Sequence, residues 1–176
     1  MGSFLFFSCV VQEKTKGGSK GTGPLGGVFK GRSPLSGACL YMSKYTVSYL
    51  GDLSTECVHE GSGARLRTDA PKDNRGKGEE FSPTDLLAVS LASCILTIMG
   101  IAAQGVGFDL RGARAEVEKE MAKESPRRVG RIGVKIFCPP CADLEMRKKI
   151  EGAGLNCPVH HSLHPEIRQE IQISWE

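Results

Sequence analysis

The sequence predicts an α+β protein built from two groups of short strands, one long apolar helix and one surface helix. Short runs in which polar and apolar residues alternate stand on both sides of the apolar segment, as expected for half-buried strands. Between them, residues 86–103 contain no charged side chain. Strands combined with a single buried helix and a surface helix are typical of the α+β class.

Residues 1–41 differ in composition from the rest of the chain. They are rich in Gly, Ser and Lys and show no sustained periodicity, so we predict a disordered basic extension. Five basic residues and one acidic residue give this segment a charge of +4, whereas the whole chain carries +3. The predicted domain, residues 42–176, therefore carries no excess of basic residues that would indicate nucleic-acid binding. A start codon at Met42 is an alternative that the sequence leaves open.

Most of the domain is predicted to consist of strands. Six segments are predicted as strands: 45–49, 53–59, 64–68, 113–121, 129–137 and 170–175. The first three follow one another closely and are separated by glycine-containing turns, which predicts a three-stranded meander. The turn of a later hairpin is supplied by Ser125–Pro126.

The central helix is predicted to run from Pro83 to Gly105. Its start is marked by Ser82 as the N-cap, by proline at the first helical position and by Asp85 as the acid of a capping box. A helix that is apolar on every side has to be buried. A membrane span is the alternative, because about 18 uncharged residues is the lower limit for crossing a bilayer. The Ser, Thr, Ala and Gly residues of the segment make it only mildly hydrophobic, which favours a core helix.

A second helix is predicted over residues 143–151. Apolar residues recur there at helical spacing among charged ones, and Gly152 and Gly154 are expected to end the helix. A short helical turn is predicted to begin near Cys157, because proline follows this residue directly.

The cysteines favour a reducing compartment, and hence the cytoplasm. There are seven of them, an odd number without a compact framework, in a chain too large to need disulfide bonds for stability. In that setting a cysteine serves either packing or chemistry. Cys94 lies at the middle of the central helix. Cys157 lies at a helix N-terminus, where backbone N–H groups stabilise a thiolate.

Residues 138–141 read Cys-Pro-Pro-Cys, a motif compatible with half a zinc site or with a redox pair. His160, His161 and His164 are further candidate ligands, but histidines beside a helical turn are more often solvated or capping groups. Because no second CxxC motif is present, we expect neither a metal nor another cofactor. His160 stands three residues after Cys157 and is therefore also a candidate for polarising that thiol.

Two segments carry a family resemblance. SPTDLLAVSLASC, at residues 82–94, and CPVHHSLHPEI, at residues 157–167, resemble the OsmC/Ohr family of osmotically inducible and organic hydroperoxide resistance proteins. The resemblance covers residues 44–176. It implies an OsmC-like fold in which antiparallel sheets wrap around a long buried central helix, in an intertwined homodimer with active sites at the interface.

The same resemblance implies a thiol-dependent peroxidase. Cys94 would be the peroxidatic cysteine, and its sulfenic acid would condense with the resolving Cys157 to form a disulfide. A dithiol, of which lipoyl groups are the type suggested for the family, would reopen this disulfide. The expected partners are thus a second copy of the chain, an organic hydroperoxide and a dithiol reductant. Neither nucleic acid nor a membrane is expected as a partner.

The sequence departs from the peroxidase pattern of the family at two positions. Family peroxidases carry an Arg in the first hairpin and a Glu after the helix-opening proline. Here the hairpin reads Leu-Gly-Asp-Leu at residues 50–53, and Thr84 follows the proline. Asp85 lies on the opposite side of the helix from Cys94, so we assign it to helix capping. An unactivated thiol has a pKa of about 8.5 and is mostly protonated at neutral pH. The alternative function is therefore a non-catalytic dimer of the same fold that binds an apolar small molecule or senses redox changes.

Overall fold

The computed structural model of the protein describes residues 42–176, so the predicted extension at residues 1–41 lies outside the described residues. The helices and strands confirm the α+β class. In chain order they are β1 (Tyr45–Gly51), β2 (Ser54–His59), β3 (Arg65–Asp69), a 3₁₀ turn (Lys72–Asn74), α1 (Pro83–Gly105), β4 (Arg114–Met121), β5 (Val129–Cys138), α2 (Leu144–Leu155), α3 (Pro158–Ser162) and β6 (Arg168–Trp175).

The strands form two three-stranded sheets. The first has the order β1-β2-β3 and is antiparallel throughout, which confirms the predicted meander. In the second, β4 pairs with β5 in an antiparallel hairpin, whereas β5 pairs with β6 in parallel. The expectation of purely antiparallel sheets is therefore wrong for this last pair. The parallel pairing of β5 and β6 results from the connection through α2 and α3, because a helical crossover returns the chain to the same end of the sheet.

The start of α1 follows the predicted capping box. Ser82 Oγ accepts a hydrogen bond from the Asp85 backbone N at 3.1 Å, and Asp85 Oδ2 accepts one from the Ser82 backbone N at 2.8 Å. By length and composition alone α1 could cross a membrane, but core helices of soluble proteins share these properties. In this fold α1 packs against α2, α3 and the second sheet.

Only one side of α1 is buried within the single chain. That side comprises Ala88, Leu91, Ala92, Ile95, Met99 and Ala103. On the other side Ile101 is 61% exposed and Val89 is 39% exposed. The composition of α1 led us to expect burial on every side. Within a single chain, only one side is buried.

The first sheet also presents an uncovered apolar face. Val47 pairs with Cys57, which pairs with Leu66, and directly paired residues point to the same side of a sheet. Tyr45 and Tyr49 share this side because they alternate with Val47. We call these five residues the apolar face of the first sheet. Val47 is 63% exposed and Tyr49 is 68% exposed, so the described chain leaves the face largely open to solvent.

The helix α2 extends beyond its predicted end. It continues through Gly152 and Gly154 to Leu155. The reason is tertiary packing, because Gly154 is buried where α2 crosses α1. A Cβ added to Gly154 would lie 2.5 Å from Met99 Cγ and 3.1 Å from Ile95 Cγ2. Glycine thus permits a close approach of two helices here, and it does not end the helix.

This crossing predicts opposite effects for two glycine substitutions in α2. Gly154→Ala should lower the free energy of unfolding by about 1–3 kcal/mol, because the added methyl group overpacks the α1 contact. Gly152→Ala should raise it by about 0.5–1 kcal/mol, because alanine is the better helix former and nothing lies within 4 Å of its Cβ. Urea unfolding of both variants measures the difference. Equal effects would contradict the described helix crossing.

Candidate active site

The helix α1 positions Cys94 next to the core. Cys94 follows two turns of apolar residues and immediately precedes Ile95, which is fully buried. The thiol itself is half-buried and packs against the core cluster. The rigid helix therefore fixes the direction of this side chain, while one edge of it remains accessible.

The end of α2 and the start of α3 position Cys157. Its backbone N donates to Gly154 O at 3.1 Å, which ties it to the crossing of α1 and α2. It is the N-cap of α3, with Pro158 at the first helical position as predicted. Cys157 Sγ accepts a hydrogen bond from the His160 backbone N at 3.3 Å. The residue is 0% exposed, so this thiol is sheltered from water.

The two cysteines share the region where α1 and α3 pack together, and Cys94 packs against the core cluster that contains Cys157. Burial raises the pKa of Cys157, the backbone N–H of His160 lowers it, and the adjacent Cys94 thiol raises it through a hydrogen bond and its charge. The net pKa of Cys157 is raised, because desolvation and a neighbouring thiolate both disfavour its charged form. Both cysteines are free thiols. The structure thus brings together the two residues predicted from the sequence, whereas their catalytic roles stay predictions.

No cationic side chain of residues 42–176 donates a hydrogen bond to either sulfur; the donor to Cys157 is a backbone N–H. The thiol pair of the single chain therefore lacks the guanidinium or ammonium group that commonly lowers the pKa of reactive cysteines.

The start of α1 holds an ion pair that the sequence analysis missed. Lys119 Nζ donates to Thr84 Oγ1 at 2.9 Å and to Asp85 Oδ1 at 2.5 Å. Lys119 lies on the inward-facing side of β4, between the apolar residues Val117 and Met121. A single lysine among inward-facing positions was the signal that could have revealed a partner carboxylate.

This ion pair changes the acidity of Asp85. Partial burial raises the pKa of Asp85, but hydrogen bonds from Lys119 and from Ser82 outweigh this effect, so the net pKa lies below its ordinary value. Thr84, which stands where family peroxidases carry Glu, is bound to the same ammonium group. The predicted capping role of Asp85 is confirmed by the capping box.

An apolar cavity of about 640 Å³ lies along the second sheet and α1. It is lined by Thr84, Leu87, Pro126, Arg128, Val129, His164, Glu166 and Ile167. Leu87 and Cys94 are two helical turns apart and therefore lie on the same side of α1. An ion pair between Arg128 and Glu166, at 3.3 Å, adds charged groups to the apolar lining. Glu166 lies within the segment at residues 157–167 that carries the family resemblance, whereas no sequence motif indicated Arg128.

The Cys-Pro-Pro-Cys motif lies at the end of β5 and in the connection to α2. Cys138 and Cys141 are both buried. Burial, followed by the charge of Glu151, raises the pKa of Cys138 to about 11. Cys141 Sγ lies 3.6 Å from Asp143 O. Within residues 42–176 no group of three or more His, Cys, Asp or Glu side chains is placed to hold a metal ion.

Comparison with known proteins finds one matching family model and several similar solved structures. The family model described as OsmC-like protein matches residues 76–172, more than half of the chain. No curated protein matches the chain.

Solved structures match the whole described domain. A protein from Psychrobacter arcticus 273-4, described as a candidate osmotic stress induced and detoxification response protein, is 47% identical at a TM-score of 0.71. The match covers 76% of this chain and 96% of that protein. Two more distant matches show the fold alone. The organic hydroperoxide resistance protein OsmC from Legionella pneumophila is 14% identical, with a TM-score of 0.60 and coverage of 77% and 98%. OhrB, the organic hydroperoxide resistance protein of Bacillus subtilis, is 14% identical, with a TM-score of 0.57 and coverage of 77% and 100%.

The lowered pKa of Asp85 predicts a pH-dependent contribution to stability. A carboxylate whose folded pKa lies below its unfolded value of about 3.9 stabilises the protein above that pH, and the contribution is lost as the pH falls through the folded pKa. Asp85→Asn should therefore lower the free energy of unfolding at pH 7, and the difference from the wild type should shrink towards pH 3.

Urea unfolding at the two pH values measures this effect. Glu116→Gln is the control, because Glu116 is an exposed carboxylate of β4. A difference for Asp85→Asn that stays the same at pH 7 and pH 3 would contradict the assigned interaction.

Proposed function

Because the chain belongs to the OsmC family, we propose that it is a thiol-dependent peroxidase that reduces organic hydroperoxides in the cytoplasm. The observation that carries this proposal is the packing of Cys94 against the core cluster that contains Cys157; the two residues come from different helices and are both free thiols. Such a pair combines a partly accessible thiol with a sheltered one. This is the arrangement that a nucleophile and a resolving group require.

In the first step the Cys94 thiolate attacks the terminal oxygen of the hydroperoxide. A sulfur–oxygen bond forms, the oxygen–oxygen bond breaks, and the alkoxide leaves and takes up a proton to become an alcohol. Cys94 is oxidised to a sulfenic acid. Cys157 stays a neutral thiol during this step because burial disfavours its ionisation, and it can therefore donate a hydrogen bond to the sulfur of Cys94.

In the second step Cys157 attacks the sulfenic sulfur, and a disulfide and water are formed. The packing of α3 against α1 keeps the two cysteines in the same part of the core for this condensation. A small dithiol of the lipoyl type then reduces the disulfide by two thiol exchanges.

The apolar cavity supports an organic substrate. It lies on the same side of α1 as Cys94, and its lining is mainly apolar. Apolar walls favour a hydroperoxide with a hydrocarbon group over hydrogen peroxide, since each buried CH₂ group contributes about 0.8 kcal/mol.

We further propose that the protein acts as a homodimer. The support is the apolar face of the first sheet and the uncovered side of α1, both of which are open to solvent in one chain. A second copy is a suitable partner because each chain offers both surfaces, so that two chains can cover each other symmetrically. Contiguous exposed apolar patches of this kind are rare on monomeric proteins.

A second candidate function is a binding protein of the same fold without peroxidase activity. The observations that favour it are Thr84 at the position of the family's Glu, the first hairpin without Arg, and the absence, within residues 42–176, of a cation bonded to the thiol pair. In that case the apolar cavity would hold a small molecule, and the cysteines would serve packing or redox sensing.

The peroxidase activity is tested by replacing single cysteines. Cys94→Ser should reduce the consumption of cumene hydroperoxide, with dihydrolipoamide as the reductant, to the uncatalysed background, because serine cannot form the sulfenic acid. Cys138→Ala should keep the rate within about two-fold, because burial raises the pKa of the Cys138 thiol to about 11 and leaves it protonated at neutral pH. Unchanged consumption in Cys94→Ser would refute the proposed mechanism.

The homodimer is tested by a matched pair of substitutions in β1. Val47→Asp places a charge on the apolar face of the first sheet, whereas Ser48→Asp places the same charge on the opposite face. Sedimentation equilibrium at micromolar concentration should give a dimer for the wild type and for Ser48→Asp, and a monomer for Val47→Asp. A monomeric wild type would rule out the proposed assembly.

A further inference from the structure

A small polar cavity lies where the first sheet meets the start of α1. Its volume is about 240 Å³, and we call it the polar cavity. Within residues 42–176 the buried residues with polar or charged side chains are Thr68, Asp69 and Ser82, and all three line this cavity. The peroxidase cycle proposed above uses none of them. Buried polar groups that gather around one cavity call for a role of their own.

The carboxylate of Asp69 carries a charge that nothing in the described chain balances. Asp69 is 4% exposed. Its Oδ2 accepts a hydrogen bond from the Glu79 backbone N at 2.9 Å, whereas its Oδ1 is buried and has no hydrogen-bond partner among residues 42–176. The ion pairs formed by these residues do not include Asp69. Because an ionised carboxylate is costly to bury without a counter-charge, the polar cavity lacks one positive charge.

The rest of the lining offers neutral oxygen atoms. Thr55 Oγ1 and Thr68 Oγ1 lie 2.6 Å apart, so two hydroxyl oxygens of the lining lie side by side. Asn74 adds an amide oxygen. Carboxylate, hydroxyl and amide oxygens are the ligands that hard cations prefer. Arg127 also lines the cavity, but its guanidinium donates to Asp73 Oδ2 at 2.8 Å and therefore has its own counter-charge.

We propose that the polar cavity binds a monovalent metal cation, Na⁺ or K⁺. Asp69 is its charged ligand, and Thr55, Thr68 and Asn74 supply neutral oxygen atoms. A single carboxylate balances a single positive charge, whereas calcium sites of high affinity gather several carboxylates. Neither the peroxidase chemistry nor the homodimer proposed above requires this cation, so the inference stands apart from both.

The bound cation stabilises the segment that leads into α1. The Asp69 backbone N donates to Phe81 O at 3.2 Å, and the side chain of Asp69 holds the backbone N of Glu79. Ser82, the next residue after Phe81, is the N-cap of α1. Neutralisation of the buried charge therefore strengthens the connection between β3 and α1, and removal of the cation destabilises it.

Thermal unfolding of the full chain tests the site without an assay of activity. The unfolding midpoint is measured in NaCl, KCl, choline chloride and CaCl₂ at equal ionic strength. Choline supplies the ionic strength, but its methyl groups keep oxygen ligands away from the charge. Asp69→Asn removes the charged ligand and keeps its shape, and Thr55→Val removes one hydroxyl. Asp52→Asn is the matched control, because it makes the same chemical change on a side chain that is 84% exposed.

We expect the wild type and Asp52→Asn to unfold at least about 2 °C higher in NaCl or KCl than in choline chloride, because a ligand that binds only the folded state stabilises it. Asp69→Asn should lose this difference. Thr55→Val should need a several-fold higher concentration of the same salt, and this variant tests the site even where Asp69→Asn fails to fold.

Equal midpoints of the wild type in NaCl, KCl and choline chloride would overturn the proposed site. A cation-dependent rise that persists in Asp69→Asn, or an unchanged salt dependence in Thr55→Val, would overturn its assignment to the polar cavity. Stabilisation by Ca²⁺ alone would overturn the assignment of a monovalent ion.

Discussion

The close approach of α1 and α2 at Gly154 is the contact on which the rest of the site depends. A Cβ at this position would lie 2.5 Å from Met99 Cγ, so only glycine allows the two helices to cross at this distance. The same residue accepts the backbone hydrogen bond of Cys157, and Ile95, next to Cys94, packs against it. The crossing therefore sets the separation of the two sulfurs. A larger residue at Gly154 would push apart the helices that carry both thiols.

The two thiols differ in exposure, and this difference suits them to different steps of the proposed cycle. Cys94 keeps one accessible edge on α1, whereas Cys157 is enclosed and has a raised pKa. A buried neutral thiol is a poor nucleophile towards a peroxide but a stable partner for a neighbouring sulfur. It becomes reactive once its proton has an acceptor. The order of the two steps in the proposed cycle then follows from the burial of Cys157.

Much of the fold was predictable because its signals are local. The capping box at Ser82 and Asp85 and the alternation of the strands depend on neighbours in sequence, and the structure confirms them. The predictions failed where contacts with an element distant in sequence determine the local structure. The helix α2 passes through Gly154 because α1 packs there, and β6 runs parallel to β5 because of the intervening helices. Neither effect is visible within a window of a few residues.

In the candidate site, too, local sequence signals were predictable and tertiary contacts were not. Cys94 and Cys157 were found through a resemblance that spans two separate segments, and their contact depends on tertiary packing. The ion pair of Asp85 with Lys119 was missed because a single lysine in a strand does not reveal its partner. The unpartnered Oδ1 of Asp69 in the polar cavity was equally hidden, since burial of one atom depends on everything that packs around it. Uncovered apolar surfaces likewise emerge only when the packed chain is known.

The proposed cycle requires that the two sulfurs lie close enough to react with each other after oxidation. This requirement is tested by adding one equivalent of an organic hydroperoxide to the fully reduced protein and recording the intact mass, followed by peptide mapping. We expect a loss of about 2 Da within seconds, the mass of the two hydrogens removed when a disulfide forms, and a single new cross-link between Cys94 and Cys157. An unchanged mass, or a cross-link that involves other cysteines, would contradict the proposed cycle.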